Sequence, residues 1–458
     1  MISKTFCWIT VTGLLMSCPA PVFAQQSSPI EPNSTAAERA AVQRDREATN
    51  GQQPATTPPN ILLLFADDLG YEALGCYGGE DYKTPRLDRL ASQGMRFRRA
   101  YTSPVCTPSR MSLYTGTYVS RHGYYNVLPV HLGTKQSVDF KQRCRTFPQL
   151  LSQADYLTSV TGKWQLATLE YHPKHCLDAG FQSWCVWQIW RNGAKTTRYW
   201  EPCFNHDGVI RNDIADRFGP DVLAEYVVQQ MKAAIAAQRP FYIQHNMLLP
   251  HWPISQTPDD RKRGQQASLG SMVQYLDQLC GRILDEVDQL GIADQTVVIF
   301  MGDNGTDEKQ PRSTKAGPVS GGKSNFNDAG THIPLLVRYP GVVKAGTVAD
   351  DLVDMTDLFP TICELAGVEL TENLQLDGIS FASRLHGEPP AVQRAWVSGG
   401  YQDKLTLFDG SWRITTGSKN IVDARQLPIE RVVQEVPTGS ENEVQRLRDA
   451  AAKLRQAK

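Results

Sequence analysis

Asn60-Ile61-Leu62-Leu63-Leu64-Phe65-Ala66-Asp67-Asp68 is the stretch on which the fold turns. A run of apolar residues without alternation suits a strand covered on both faces, as in a parallel sheet between layers of helices. Two carboxylates end it. Similar runs occupy residues 156–160, 241–245, 296–301 and 335–339. Helical patterns lie between them. Thr84-Pro85 supplies a cap and a first-turn proline, and Gly94 a stop. Met272, Leu276, Leu279, Ile283, Val287 and Leu290 form one stripe of a longer helix. Strands alternating with helices predict an α/β fold with a large, mostly parallel sheet flanked by helices. In such sheets functional groups collect at the carboxyl ends of strands. Asp67, Asp68, Lys163, His251 and Asp303 each follow a strand-like run by a few residues.

Outside this region the character changes. Residues 1–24 read as an export signal: Lys4 precedes a short apolar core, and Val22-Phe23-Ala24 offers a cleavage site. A lipoprotein signal ending at Leu15-Met16-Ser17-Cys18 is the rival, and simple secretion the preferred reading, periplasmic or extracellular. Residues 25–58, rich in Gln, Ser, Pro and Thr, read as a disordered linker. No other segment is apolar enough to span a membrane. The catalytic domain is assigned to residues 59–385. Residues 386–458 are assigned to a small C-terminal sheet-plus-helix subdomain. It has short strand candidates at 396–397, 405–408 and 412–415. Its final helix opens on a Ser440/Glu443 capping box.

The balance of 47 Lys+Arg against 48 Asp+Glu does not suggest a nucleic-acid binder. Cys7 and Cys18 lie in or beside the signal. Of the other eight cysteines, Cys144, Cys176, Cys185 and Cys203 could pair locally in an exported protein. No spacing makes a zinc site.

Asp67-Asp68 and Asp303-Asn304-Gly305 end two apolar strands. Either alone reads as solvated loop acids. Converging, they make an oxygen-only site suited to Ca²⁺ or Mg²⁺. Between them in sequence lies Pro104-Val105-Cys106-Thr107-Pro108-Ser109-Arg110-Met111-Ser112-Leu113-Tyr114-Thr115-Gly116. Pro108 suits a first helical turn, which places Cys106 near a positive helix end with Arg110 one turn on. An anion there would meet amide donors and a guanidinium.

Cys106-Thr107-Pro108-Ser109-Arg110 followed by Thr115-Gly116 resembles the signature of the type I sulfatases. The order of Asp67-Asp68, Arg121-His122-Gly123, Gly162-Lys163-Trp164, Pro250-His251, Asp303-Asn304-Gly305 and Lys323 also matches, over about residues 59 to 385. The resemblance implies an alkaline phosphatase-like fold and oxidation of Cys106 to formylglycine by a host maturation machinery. It places metal ligands on Asp67, Asp68, Asp303 and Asn304, with residue 106 as a further ligand. The ion implied is Ca²⁺, with Mg²⁺ as the alternative. A hydroxyl of the hydrated aldehyde would attack sulfur, and sulfate would be expelled as the aldehyde reforms. Arg110 would stabilise the nucleophile, and Lys163 and Lys323 would hold sulfate oxygens. His251 would protonate the leaving oxygen or bind the ester. His122 is expected to support the helix carrying Arg110. The aromatic group Trp184, Trp187, Trp190, Tyr199 and Trp200 is expected to be packing, with a sugar-stacking wall as the lesser option.

Two stretches depart from the family pattern. Gln165 stands where a His usually follows Lys-Trp, and residues 328–332 read Asp-Ala-Gly-Thr-His instead of Glu-Gly-Gly-x-Arg. Gln cannot exchange a proton near neutral pH. The leading expectation is a sulfate ester hydrolase acting on sulfated carbohydrates, a substrate class suited to secretion. A phosphonate or phosphate ester hydrolase and a weakly active binder of sulfated glycans are the alternatives.

Overall fold

The computed structural model describes residues 58–142, 144–211, 213–307, 311–320 and 322–456. The export signal, Cys18 and the linker up to residue 57 lie outside the described residues. Among the described residues no helix is long and apolar enough to cross a membrane.

Ten strands form the main sheet. In chain order they are β1 (Asn60–Ala66), β2 (Met95–Tyr101), β3 (Leu157–Gly162), β4 (Ser183–Trp187), β5 (Phe204–His206), β6 (Val209–Ile210), β7 (Phe241–Asn246), β8 (Thr296–Gly302), β9 (His332–Arg338) and β10 (Thr347–Asp354). Across the sheet they run β10-β2-β9-β8-β1-β7-β3-β4-β5-β6. The neighbours β8, β1, β7, β3 and β4 are all parallel. Every residue of β8, and all but the first of β1, is buried, as continuous apolar runs require under helices on both faces.

The sheet is mixed rather than purely parallel, because β9 pairs antiparallel with both β8 and β2. The apolar run expected at 335–339 starts earlier, at His332, and that at 156–160 shifts to Leu157–Gly162. Strands β2 and β10 carry Arg96, Arg98, Arg99, Asp350 and Asp351 on partly exposed faces, so a search for unbroken apolar runs passes over them.

Helix α1 (Pro85–Gln93) starts and stops at the expected residues, but Thr84 does not cap it. The Thr84 hydroxyl accepts from the Gly75 amide and donates to Asp88 instead. Helix α2 (Cys106–Thr115) is wholly buried. Helix α3 is Leu269–Gln289, and its predicted stripe faces the core from Met272 to Val287.

Beyond these, strands Val397–Tyr401, Lys404–Phe408, Trp412–Thr415, Ile421–Gln426 and Ile429–Val433 form an antiparallel sheet covered by helix α4 (Glu441–Gln456). Val444, Leu447, Ala451 and Leu454 of α4 are buried against it, with Trp412. Glu443, expected in a capping box, accepts the Trp412 indole N–H. The two sheets meet in a shared apolar cluster of Tyr101, Leu352, Val397, Phe408 and Ala424. The Gly400 amide also donates to Ser103 Oγ, three residues before Cys106. Cys176, Cys185 and Cys203 remain thiols, so the expected local pairing among them does not occur.

Candidate active site

Register decides where the polar groups lie. Ala66 pairs with Gly302, Phe65 with Asn246, and Gly162 with Asn246. The carboxyl ends of β8, β1, β7 and β3 are therefore level, and the residues that follow share one rim. The Asp303 amide donates to Ala66, the Lys163 amide to Asn246 and the Asp67 amide to Leu249. Gly162 turns the chain at a φ of 95°, where a Cβ would lie 1.8 Å from the Asn246 carbonyl oxygen, so only glycine fits. Asp68 adopts a φ of 63°, an uncommon conformation for a residue with a side chain and one that recurs at functional sites. Its amide donates to Asp303 Oδ1 at 3.0 Å.

Helix α2 brings Cys106 and Arg110 to this rim. Cys106 is its first residue and is buried. Ser109 Oγ bonds the carbonyls of Ser103 and Val105, fixing the turn before the helix. Arg110 donates to Asp303 Oδ2 from Nη2 at 2.8 Å and from Nε at 3.1 Å. His122 Nε2 lies 3.3 Å from Ser112 Oγ on the same helix, as expected of a supporting residue.

The remaining cations meet the carboxylates. Lys163 Nζ is 2.6 Å from Asp67 Oδ1, and Lys323 Nζ is 2.6 Å from Asp68 Oδ2. His251 Nε2 lies 3.3 Å from Lys323 Nζ and 3.6 Å from Asp68 Oδ2. The structure thus brings together every sequence-predicted site residue: Asp67, Asp68, Cys106, Arg110, Lys163, His251, Asp303, Asn304 and Lys323.

Burial and charge act in opposition here. Burial works to raise Asp67, but Lys163, His251, Arg110 and Lys323 together hold its carboxyl well below the usual range. Asp68 is also lowered against burial, chiefly by His251 and Lys323. For Asp303 burial prevails over Arg110 and pushes the carboxyl up to about 6. Burial pushes the Cys106 thiol up despite Lys163 and Lys323, so the thiol is protonated at neutral pH and a poor nucleophile as such. Burial, helped by Lys163 and Arg198, pushes the His251 imidazole down to about 3, against the pull of Asp67 and Asp68.

The donor set fits a hard divalent cation. Asp67 Oδ2 and Asn304 Oδ1 are buried with no hydrogen-bond partner among the described residues, an arrangement that is costly unless a cation or water completes it. Asp67, Asp68 and His251 present ligand atoms within 4.8 Å of one another. That grouping includes His251, which the expected ligand set left out. Asp303 lies outside that grouping, with Oδ2 taken by Arg110 and Oδ1 accepting only the Asp68 amide, so Oδ1 keeps a lone pair that could face an ion.

The sulfatase family profile matches residues 59–368. The chain belongs to the sulfatase family. This sulfatase is 31% identical over 356 residues to the N-acetylgalactosamine-6-sulfatase of Canis lupus familiaris, covering 74% of this chain and 68% of that protein. It is 27% identical over 444 residues to an N-acetylgalactosamine-6-O-sulfatase of Bacteroides thetaiotaomicron, covering 81% of this chain and 84% of that one. The crystal structure of Ps i-CgsB shares the alkaline phosphatase-like fold, with a TM-score of 0.73 at 23% identity over 87% of this chain and 92% of that one. The protein is accordingly a sulfuric ester hydrolase.

In this sulfatase Gln165, an amide that exchanges no proton near neutral pH, is buried and tied to a loop. Its Nε2 donates to the Leu128 carbonyl at 2.9 Å. The Thr107 hydroxyl, next to Cys106, accepts from the Leu128 amide, tying the same loop to α2. The altered stretch 328–332 also has a structural role. Asp328 accepts from Tyr101 and pairs with His332, whose ring stacks on Tyr71 and Tyr101. Of the aromatic group, Trp184, Trp187 and Tyr199 are buried and pack, whereas Trp190 and Trp200 are only half-buried. One residue that sequence reasoning missed is Arg198. It is buried, and its Nη2 lies 2.8 Å from His251 Nδ1.

Proposed function

We propose that this sulfatase removes sulfate from sulfated carbohydrates at the rim of β8, β1, β7 and β3, with residue 106 matured to formylglycine and a Ca²⁺ ion at the Asp67-Asp68 carboxylates. The observation that carries this reading is the meeting of three fixed cations with buried carboxylates, Lys163 with Asp67, Lys323 with Asp68 and Arg110 with Asp303, on the rim that also carries Cys106 at the start of a helix. The carbohydrate class follows from relatives named for N-acetylgalactosamine 6-sulfate. Asp67, Asp68, Asp303 and Asn304 would hold the ion, which supplies Lewis-acid polarisation of the sulfate oxygens and of residue 106. Formylglycine supplies a nucleophile that regenerates itself.

This chain's own residues do the rest. Lys163 and Lys323, flanking the carboxylates, bind the sulfate and stabilise the charge that builds on its oxygens. Arg110, locked by two bonds to Asp303, orients residue 106 and cannot lose its charge there. His251 presents Nε2 at the mouth, where it donates to the ester oxygen that leaves. Gln165, bonded to Leu128, takes no proton, so the base for sulfate release is another group of this rim. Export, through residues 1–24 or through a lipid anchor at Cys18, would bring the enzyme to extracellular glycans and past the formylglycine-generating machinery.

Protein from a host with that machinery is expected to carry an aldehyde at position 106. Mass spectrometry of the peptide spanning residue 106 measures it. Full activity in protein bearing only the thiol would end this reading. Turnover of N-acetylgalactosamine 6-sulfate, aryl sulfate and aryl phosphate side by side separates a carbohydrate sulfatase from a phosphate ester hydrolase and from a non-catalytic binder.

A further inference from the structure

Arg198 lies in the aromatic-rich stretch between β4 and β5, next to Tyr199 and Trp200 and outside the family motifs. It is buried, and its guanidinium packs 4.6 Å from the Trp187 ring centroid and 5.2 Å from that of Tyr199. Stacking of this kind fixes the plane of the fork. Its Nη2 sits 2.8 Å from His251 Nδ1 and 3.4 Å from the His251 carbonyl oxygen. The Tyr199 hydroxyl lies within hydrogen-bond reach of that carbonyl and of Leu248 O, its one proton shared between them. Arg198 and Tyr199 thus hold the backbone and the ring of His251 together.

We propose that Arg198 is a positioning residue that selects the Nε2–H tautomer of His251, so that the imidazole presents a donor to the ester oxygen. The proposal deepens the reading of His251 given above and rests on it. A guanidinium is a donor only and keeps its charge. At 2.8 Å it demands the lone pair of Nδ1, which leaves the proton on Nε2. Two groups pull the other way. The Trp252 carbonyl oxygen lies 2.7 Å from Nδ1, and Lys323 Nζ lies 3.3 Å from Nε2. The Trp252 bond would be a neutral one, whereas that from Arg198 is charge-assisted and so about twice as strong. Lys323 already donates to Asp68 Oδ2 at 2.6 Å and lies 3.6 Å from Asp307 Oδ2, so it has acceptors other than Nε2. Cations on both sides of the ring disfavour a third charge between them. The carboxylates that face it are Asp68 at 3.6 Å and, farther off, Asp67. In the opposite tautomer Nε2 would be a bare lone pair and His251 would have nothing to donate to the ester.

The test is a nitrogen NMR spectrum of full-length, metal-replete enzyme labelled in its histidines, with His251→Gln identifying the His251 signals. Wild type is expected to show a protonated Nε2 and a bare Nδ1. Arg198→Met should reverse this, the proton moving to Nδ1 to meet Trp252. Arg198→Lys, which keeps a cationic donor, should retain the wild-type pattern. A protonated Nδ1 in wild type overturns the proposal even if Arg198→Met does not fold, and so does an unchanged pattern in Arg198→Met. Kinetics supply the second readout. Arg198→Met should lower kcat on a sugar sulfate by on the order of 10²-fold, and far less on an activated aryl sulfate. The spectrum is independent of turnover. A tautomer that switches as expected while His251→Gln spares sugar sulfates would refute the donor role of His251 and leave the Arg198 assignment standing.

Discussion

Exhaustive chelation is expected to remove sulfatase activity by on the order of 10³-fold or more, because Lewis-acid stabilisation of developing charge is worth several kcal/mol. The geometry makes the loss compound. Lys163 and Lys323 each sit 2.6 Å from one of the proposed ligand carboxylates. A cation held by Asp67 and Asp68 would compete with both ammonium groups for these carboxylates and leave Lys163 and Lys323 freer to bind sulfate oxygens. Without it both lysines would stay on the carboxylates, within hydrogen-bond distance as they are here, so the site would lack its Lewis acid and two anion-binding donors together. Ca²⁺ or Mg²⁺ should restore turnover, since the donors are carboxylate and amide oxygens. A ligand bound only by the folded state also stabilises it, so Tm should fall by roughly 5 °C on chelation. Asp67→Asn and Asp68→Asn should reproduce the kinetic loss and weaken the Tm response to added Ca²⁺. The measurements are turnover, Tm and elemental analysis of the same samples. Full activity in protein shown to be metal-free would refute the ligand assignment.

Much of this site is legible in the sequence for one physical reason. In a parallel sheet, neighbouring strands end level, so polar residues just after unbroken apolar runs share a rim. Asp67, Lys163 and Asp303 follow that rule directly, and Leu62 with its paired residues Ile243 and Val298 shows why. Strands that face solvent on one side escape the same reading. Arg96, Arg98 and Arg99 interrupt β2, and Asp350 and Asp351 interrupt β10, where the ladder also slips between Ala349 and Leu352. Arg198 is hidden for a different reason. Its partner His251 lies 53 residues away, and only the packing of Trp187 and Tyr199 brings the two together. An arginine inside an aromatic-rich stretch carries no sign of which distant residue it meets. The departures at Gln165 and at 328–332 were visible as letters. Their consequences depend on Leu128, Tyr71 and Tyr101, which no local pattern connects to them.

Replacing His251 by Ala should separate substrates by leaving group. A sugar alcohol leaves badly unless its oxygen is protonated or receives a hydrogen bond, whereas a nitrophenolate leaves unaided. General acid assistance is worth about 10²- to 10⁴-fold, and only the poor leaving group should feel the whole loss. His251 is placed for this duty. Its Nε2 faces the rim, within 3.6 Å of Asp68, and its side chain is 22% exposed, so an entering ester can reach it. Burial holds the ring neutral in the free enzyme. A bound sulfate ester adds negative charge beside it, which raises the affinity of the ring for a proton and so supplies the proton to be donated. The comparison is kcat and kcat/KM of wild type and His251→Ala on one sugar sulfate and one nitrophenyl sulfate, with burst kinetics to locate the slow step. The expected result is a loss on the sugar sulfate at least about tenfold greater than on the aryl sulfate. Gln165→His serves as the counterpart. It would put an imidazole in place of the amide that bonds Leu128, and any gain it brings should appear in sulfate release and be alike for both substrates. Equal losses for His251→Ala on the two substrates would remove His251 from the donor role and leave it as a group that binds the ester.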